Sequence, residues 1–278
     1  MTRGVVLARG LGTRMRQAEV GPGLDAAQAE AAGRGSKAMM PIGPGGRPFL
    51  DFILSGLADA GYRDVCLVVA PDHEAMREHY ESEARPRRLR ITFAVQAEPR
   101  GTADALLAAE PFAAGEDLLV VNGDNYYPVA ALRALRLLDS AGTVLFDPDA
   151  LVRASNIPAD RLRAFAIGLV DARDVLIDLI EKPDDATWQA LGDAGAGGAP
   201  RPLISMNCWR LPPALFAFCR SLTPSSRGEL ELPQAIRHAI QAGVRFRVVR
   251  SEEGVLDLSR RADVAAVAGR LREVRVEL

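Results

Sequence analysis

Lysine occurs at only two positions in this chain, and both lie in short motifs that could do chemistry. Lys37 and Lys182 are the only lysines among the 34 lysine and arginine residues of the 278-residue sequence. Arginine presents a flat fork of five donors, whereas lysine is a compact ammonium that can be directed at a single phosphate oxygen. We therefore hypothesise that Lys37, in SKAMMPIG, and Lys182, in LIEKP, contact phosphate groups.

A glycine-rich segment, LARGLGTRMR at 7–16, follows the first apolar run of the chain. Glycines at the end of a strand let backbone N–H groups approach an anion closely, and Arg14 and Arg16 add positive charge. A dinucleotide-binding fingerprint would need glycine where Met15 stands, and the Gly-Lys-Ser/Thr ending of a P-loop is absent. The segment suits an anion but matches neither of these two common motifs.

Two aspartates follow apolar runs and could supply carboxylates to one site. Asp124, in VVNGDN, comes directly after a buried run, and ligands of open α/β sheets bind where such strands end. A carboxylate there suits a magnesium ion shared with phosphates, although Asn-Gly-Asp is also good chemistry for a purely structural turn. Asp257, in GVLDLS, could return to the same edge as its partner.

The elements that must position these residues are indicated by hydrophobic periodicity. In the first half, short and nearly continuous apolar runs alternate with amphipathic helical patterns. This is typical of βαβ units in a mainly parallel sheet that is covered by helices on both faces. We predict strands at 4–8, 64–70, 90–95 and 117–122, and helices at 49–61, 72–82 and 102–110.

After about residue 140 the pattern changes. Apolar runs joined by the turn DARD predict an antiparallel strand pair, and the Gly/Ala/Pro-rich segment 192–202 predicts a mobile loop. The tail predicts a helix with Ser259 as its N-cap. The remaining predicted elements are a strand at 203–211, helices at 212–222 and 231–243, and a strand at 245–250.

The composition, 48% hydrophobic and 25% charged, is typical of a globular enzyme. The net charge of −2 argues against binding to nucleic acid or to an anionic membrane, which needs a basic excess. The three cysteines, Cys66, Cys208 and Cys219, have no paired spacing and are expected to be buried in a reducing compartment. No apolar run approaches the length of a membrane span, so we predict a cytoplasmic protein.

Seven segments, taken in order, resemble one enzyme family. They are LARGLGTRMR, SKAMMPIG, VQAEPRGTADAL, VVNGDN, IEKP, SMNCWRL and VLDLSRRADV. The resemblance, over residues 4–267, is to the sugar-1-phosphate nucleotidylyltransferases. It implies an α/β, Rossmann-like, three-layer α/β/α fold with a mainly parallel mixed sheet and a small β-rich sugar-binding portion in the second half. A single domain over 1–278 is expected, with a nucleotide-binding half at about 1–140 and an acceptor-binding half at about 141–278.

The resemblance also implies a reaction. An oxygen of a sugar 1-phosphate would attack the α-phosphorus of a nucleoside triphosphate, and pyrophosphate would leave, with Mg²⁺ as cofactor. The phosphate monoester is already an anionic nucleophile, so cations that offset charge repulsion matter more than a general base. The partners would be an NTP and a sugar 1-phosphate, with no nucleic acid and no membrane; a homo-oligomer is left open.

Residue roles follow from the resemblance where the motifs match. The expected catalytic residues are Arg14, Lys37 and Asp124. The expected nucleotide-binding residues are Leu7, Ala8, Gly10, Gly12, Thr13, Arg14, Gln96, Gly101 and Thr102. Glu181, Lys182 and Asn207 would bind the sugar phosphate, and Asp124 and Asp257 would hold the metal. The simpler alternatives are a solvated Lys182, a Gln96 that only caps a strand, and an Asn207 that is a core amide.

The sequence departs from the family pattern at three places. Arg9 stands where the family has alanine or glycine, so its side chain must either leave the site or take part in it. Residues 17–36 read as an insertion, which is either a lid over the triphosphate or a surface loop with a short helix at LDAAQAEAA. The segment VLDLSRR replaces a Trp-Leu-Asp motif, so Asp257 matches less well than Asp124.

Three other functions compete with this interpretation. A glycosyltransferase that consumes an NDP-sugar could use DPD at 147–149 as its metal motif, but it would not require the GLGTR…K set. A nucleotide-sugar sensor could keep the pocket without turnover. A nucleotidyltransferase for a non-sugar phosphate such as choline phosphate also fits, because the acceptor contacts lie in the divergent second half.

Overall fold

The computed structural model describes residues 1–10, 12–16, 24–188, 202–225 and 228–278. Its strands are β1 Arg3–Leu7, β2 Pro41–Gly43, β3 Arg47–Pro48, β4 Asp64–Val69, β5 Arg90–Val95, β6 Leu118–Asn122, β7 Asn125–Tyr126, β8 Gly142–Phe146, β9 Ala166–Val170, β10 Leu176–Ile180, β11 Leu203–Leu211, β12 Arg247–Ser251 and β13 Leu256–Asp257. Its α-helices are α1 Thr13–Arg16, α2 Ala26–Arg34, α3 Phe49–Ala60, α4 Glu74–Glu78, α5 Thr102–Ala108, α6 Glu110–Ala113, α7 Val129–Leu137, α8 Pro148–Ala154, α9 Leu215–Arg220, α10 Leu232–Gln241 and α11 Asp263–Leu271. Short 3₁₀ helices lie at Pro44–Gly46 and Ala159–Ala164, a π-helical turn at His79–Glu83, and a helical turn at 185–188.

The central sheet is parallel where the nucleotide-binding half was predicted. The strand order is β10-β9-β11-β6-β1-β4-β5, and β1 pairs in parallel with both β4 and β6. Parallel strands with helical crossovers place all their carboxyl ends at one edge of the sheet. The ends of β1, β5 and β6 therefore meet on one side of the molecule.

The second half of the sheet is built around the long antiparallel strand β11. Its first part pairs with β9 and its last part with β6, and its register on β8 shifts between Ser205 and Trp209. Asn207, with φ +55°, lies inside that shift. The strand is therefore bent in its middle, where it turns from one set of neighbours to the next.

Two hydrophobic cores lie on opposite faces of the sheet. Val6 of β1 joins the core that contains α3, α7 and α11, whereas its neighbour Val5 joins the core that contains α5, α9 and α10. Successive side chains of a strand point to opposite faces, so one apolar run serves both cores. The predicted three-layer α/β/α fold with a mixed sheet is confirmed.

The tail differs from its prediction in one respect. A helix forms at Asp263–Leu271, but its N-cap is Ala262, not Ser259. Ser259 instead donates its hydroxyl hydrogen to Asp257 Oδ1 at 3.0 Å. A buried carboxylate that lacks hydrogen-bond donors costs more free energy than a helix end that lacks a side-chain cap. The N-cap prediction for Ser259 is therefore wrong.

The insertion contains the short helix that the sequence predicts. Asp25 caps α2 and accepts the Gln28 N–H at 2.8 Å, while the Gln28 side chain accepts the Asp25 N–H, which completes a capping box. Residues 17–23 lie outside the described residues, as does the predicted loop 192–202 apart from Pro202. Among the described residues, no helix has both the length and the apolar character that crossing a membrane requires.

Candidate active site

A cleft of about 430 Å³ opens where β1, β5 and β6 end. Twelve of the predicted site residues line it, and they come from segments spread over two hundred positions of the chain. They are Leu7, Ala8, Gly10, Gly12, Thr13, Arg14, Lys37, Gln96, Gly101, Thr102, Asp124 and Asn207. Most of the glycine-rich segment, Lys37 and Asp124 thus share one concave surface.

The glycine-rich segment is held against the insertion by a backbone contact that only glycine permits. Gly12 has φ +60°, and a Cβ there would lie 2.2 Å from the Gly35 carbonyl oxygen. Arg16 adds a second tie, since its Nε and Nη2 donate to the Arg34 carbonyl at 3.2 and 2.9 Å. The insertion therefore positions Ser36 and Lys37 directly beside the glycine-rich loop.

The C-terminal part of the chain also holds this loop. Arg261 donates from Nε to the Met15 carbonyl oxygen at 2.8 Å, across 246 positions of sequence. Met15 is the buried residue of the short helix α1. The segment around Arg261 therefore fixes α1, which carries Thr13 and Arg14 into the cleft.

Lys37 and Asp124 form an ion pair inside the cleft. Lys37 Nζ lies 2.8 Å from Asp124 Oδ2, and both side chains are mostly buried. Gly123 brings Asp124 there, because its N–H donates to the Leu7 carbonyl at 2.9 Å and a Cβ would press on Ala8. The predicted catalytic cation and the predicted metal ligand are thus direct neighbours.

Asp257 reaches the same region but lies beneath the surface. It is 3% exposed, and it accepts hydrogen bonds from Asn125 Nδ2 at 2.9 Å and Ser259 Oγ at 3.0 Å on Oδ1. Arg161 occupies Oδ2 and also pairs with Asp263. Burial and the nearby Asp124 charge raise the pKa of Asp257 to about 6, against the opposing influence of Arg161.

The two carboxylates differ in how well they suit a divalent cation. Asp124 faces the cleft with oxygen atoms, the ligands that Mg²⁺ prefers, whereas both oxygens of Asp257 are already occupied by donors. No cluster of three or more His, Cys, Asp or Glu side chains suited to a metal occurs in the described part of the chain. The arrangement fits a cation at Asp124, completed by groups of a ligand, whereas a cation at Asp257 would first require Arg161 to release Oδ2.

Gln96 anchors the segment that closes the other end of the cleft. Its Nε2 donates to the Gly101 carbonyl at 3.0 Å and to Asp104 Oδ2 at 2.8 Å. Gly101 has φ +108° and packs on the backbone of Leu230. Gln96 therefore does more than cap β5, since it fixes the shape of the segment that holds Gly101 and Thr102.

A smaller pocket of about 60 Å³ adjoins the cleft and shares Asn122 and Asn207 with it. Glu181 lines this pocket, together with Asn125, Phe165, Ala166, Ser205 and Met206. The Tyr127 hydroxyl donates to the Met206 carbonyl at 2.7 Å, which ties β11 to the end of β6. Burial of that hydroxyl raises the pKa of Tyr127 well above its ordinary value.

Two of the predicted acceptor residues have left-handed backbone conformations. Lys182 has φ +44° and Asn207 has φ +55°. Such conformations cost free energy in residues other than glycine and concentrate at functional sites. Lys182 lines neither pocket: its side chain is 40% exposed, with Nζ 3.9 Å from Glu181 Oε1. The structure therefore brings Glu181 and Asn207 together and leaves Lys182 at the rim.

Sequence reasoning missed several residues of the site. Asn122 lines both pockets, and its signal was a polar residue at the end of a buried strand two positions before Asp124. Arg161, the partner of Asp257, had no local signal. Arg9, whose side chain could have left the site, stays at the cleft and donates from Nε to the Gln96 carbonyl at 3.0 Å.

Comparison with known proteins identifies the family. The family model described as "Nucleotidyl transferase" matches residues 32–257, most of the chain. This chain belongs to the nucleotidyl transferase family. The matched region contains Lys37, Gln96, Asp124, Glu181 and Asp257, while the glycine-rich segment precedes it. The resemblance inferred from the seven motifs is confirmed.

This nucleotidyl transferase has curated relatives over nearly its whole length. It is 28% identical over 271 residues to a UTP–glucose-1-phosphate uridylyltransferase of Haloferax volcanii, covering 97% of this chain and 96% of the relative. It is 25% identical to a glucose-1-phosphate thymidylyltransferase of an Actinoplanes species, covering 87% of this chain and 68% of the relative. In fold it is similar to a UDP-glucose pyrophosphorylase solved with UDP-glucose, with a TM-score of 0.72, 14% identity and coverage of 99% of this chain and 100% of that one.

Proposed function

We propose that this nucleotidyl transferase transfers a nucleoside monophosphate from an NTP to a sugar 1-phosphate. The observation that carries the proposal is the junction of the two pockets. The cleft collects the glycine-rich loop, Lys37 and Asp124, and it meets the smaller pocket at Asn122 and Asn207. Two anionic substrates bound in these pockets would meet at that junction.

The proposed chemistry is a displacement at the α-phosphorus. An oxygen of the sugar 1-phosphate forms a bond to the α-phosphorus, and the bond from that phosphorus to the oxygen bridging the β-phosphate breaks, releasing pyrophosphate. Gly10, Gly12 and Thr13 cradle the triphosphate, and Arg14 offsets charge on the departing group. Lys37 leaves Asp124 for the α-phosphate, where negative charge grows in the transition state.

Mg²⁺ would be held by Asp124 together with phosphate oxygens of the NTP. A divalent cation there supplies positive charge that lowers the repulsion between the two substrates. Asp257 remains a predicted ligand, and Arg161 would have to release it first. Glu181, Lys182 and Asn207 are proposed for the acceptor, with Lys182 reaching its phosphate from the rim.

The names of the relatives indicate which substrates to try first. UTP and dTTP are the first candidates for the nucleotide, and glucose 1-phosphate is the first candidate for the acceptor. Non-sugar phosphates such as choline phosphate belong in the same test, because the acceptor pocket lies in the half of the chain where the motifs match less closely. A cytoplasmic location and a homo-oligomer remain predictions.

The test is a matrix of five NTPs against a panel of sugar 1-phosphates, with pyrophosphate release as the readout. We expect release with at least one pair, only when a divalent cation is present. Release with choline phosphate but with none of the sugar 1-phosphates would assign the protein to a different acceptor class. No release with any pair would overturn the proposal.

The proposed role of Asp124 has its own test. Asp124→Ala is expected to abolish pyrophosphate release while thermal unfolding shows an intact fold. Asp139→Asn, which changes an exposed aspartate after α7, is the control and should leave release unchanged. Full activity of Asp124→Ala would remove the metal assignment.

The glycosyltransferase alternative loses its suggested metal motif. Asp147 accepts the Ala150 N–H at 2.8 Å and is the N-cap of α8, so its carboxylate has a structural task. Neither Asp147 nor Asp149 lines the two pockets.

A further inference from the structure

Arg9 forms a bridge across the end of the cleft. It follows β1, and it reaches over β4 to the segment that follows β5. Its Nε donates to the Gln96 carbonyl at 3.0 Å and its Nη2 to the Ala97 carbonyl at 3.3 Å. Both acceptors are backbone groups, and the guanidinium has no carboxylate partner among the described residues. The remaining N–H groups, on Nη1 and Nη2, make no hydrogen bond to a described residue and are free to donate.

Gln96 presents an acceptor to the same cleft. Its Nε2 is committed to two acceptors, the Gly101 carbonyl and Asp104 Oδ2, which fixes the orientation of the amide. Its Oε1 accepts no hydrogen bond from the described residues. Because no fully buried side-chain oxygen or nitrogen in the described part lacks a partner, Oε1 must retain access to the cleft that Gln96 lines.

Arg9 and Gln96 line the same cleft, and Arg9 is bonded to the Gln96 backbone, so a free acceptor on one and free donors on the other are complementary to one kind of base edge. Uracil, thymine and guanine present a ring N–H beside a carbonyl oxygen. In the same pose, cytosine and adenine would set a bare ring nitrogen against Gln96 Oε1 and an amino group against the guanidinium. Both contacts would then be repulsive, and repulsive contacts discriminate strongly in a buried site.

We propose that Arg9 is a specificity-determining residue that, with Gln96, selects nucleotides whose base presents a ring N–H beside a carbonyl. The inference rests on the proposed function, in which this end of the cleft receives the base. It concerns a position where the chain departs from the alanine or glycine typical of the family.

The sharpest test compares UTP with CTP, because the two bases have the same size and differ at this edge. Dissociation constants are measured by calorimetry with Mg²⁺ and without an acceptor, so that no turnover is needed. We expect the wild type to bind UTP at least about tenfold more tightly than CTP, since one well-placed charged hydrogen bond contributes that much.

Three variants separate donor geometry from charge. Arg9→Met keeps the stem and removes every donor, and Arg9→Lys keeps the charge but loses the fork. Both are expected to lower the UTP-to-CTP preference by about tenfold. Arg90→Met, at the other end of β5 with a side chain 82% exposed, is the control and should leave the preference unchanged. Thermal unfolding checks each fold.

Specific outcomes would overturn the role of Arg9. Arg9→Met could weaken the binding of UTP and CTP equally while the Arg9→Lys protein binds both normally. In that case the residue attracts phosphate and does not select the base. An unchanged preference in both variants, or a wild type without any preference, refutes the inference as well. These outcomes can be distinguished from a failure of the proposed function, because that function fails when the wild type binds NTPs but releases no pyrophosphate.

Discussion

The cleft and the smaller pocket proposed for the acceptor adjoin, yet they are built in different ways. The cleft is formed by loops that directly follow parallel strands, and close backbone contacts such as that of Gly12 with Gly35 fix its shape. The acceptor pocket is formed by a bent antiparallel strand and by left-handed residues such as Asn207. The difference indicates that close glycine contacts preform the proposed triphosphate site, whereas the proposed acceptor site takes its shape from a strand bend and from the left-handed conformation of Asn207.

Lys37 should give the largest effect on the cleft side of this comparison. Lys37→Ala is expected to lower kcat about a thousandfold, because the cation that offsets charge at the α-phosphate is lost. Lys37→Arg should retain less than about one tenth of kcat, since the wider guanidinium does not fit beside Asp124. Steady-state kinetics measure both, and near-normal turnover of Lys37→Arg would show that the scarcity of lysine is accidental.

Gly12 tests whether backbone shapes the cleft. Gly12→Ala places a Cβ 2.2 Å from the Gly35 carbonyl oxygen, so the loop must shift. We expect NTP binding to weaken about a hundredfold while the fold persists. Gly33→Ala is the control within the same insertion. Outside its own helix, no described atom lies within 4 Å of an added Cβ, and we expect the change to stabilise the protein by about 0.5 kcal/mol. Normal NTP affinity in Gly12→Ala would contradict a preformed loop.

Asp257 is buried, bonds to Asn125 of the smaller pocket and interacts with the charge of Asp124 in the cleft, so the stability of the protein should depend on pH. Its pKa rises from 3.8 to about 6 on folding, so between these values the folded state binds more protons than the unfolded state. Its contribution to the free energy of unfolding therefore falls as pH rises from about 4 to 6, by on the order of 2 kcal/mol.

Asp257→Asn removes this titration. Denaturant unfolding with EDTA at a series of pH values should show the wild type losing stability relative to the variant as pH rises through this window. A difference that does not change with pH would mean that Arg161 keeps the carboxylate ionised throughout.

Lys182 should give the smallest effect, on the acceptor side. Lys182→Ala is expected to raise the KM for the sugar 1-phosphate about tenfold and to leave the KM for NTP unchanged, because the exposed rim cation guides one substrate only. Initial rates with each substrate varied in turn measure the two constants. An equal rise in both KM values would contradict the proposal that Lys182 acts only on the acceptor.

The sequence could predict residues in local motifs, but it could not predict contacts between residues far apart in the chain. Asp124 was predictable because it follows a strand whose position follows from hydrophobic periodicity, and Lys37 was predictable from the scarcity of lysine and from its local motif. Arg161 and Arg9 were not predictable as partners of Asp257 and Gln96, since they meet across 96 and 87 positions of sequence, where only the folded sheet sets the distance. The left-handed conformations of Lys182 and Asn207 likewise leave no mark in composition.

The bond from Arg261 to the Met15 carbonyl has a consequence for how the protein is made. A chain emerging from the ribosome has its first strands and α1 long before residue 261 exists, so the glycine-rich loop lacks this support until Arg261 has been made. Nucleotide capture should therefore follow the synthesis of Arg261, when most of both cores can already form.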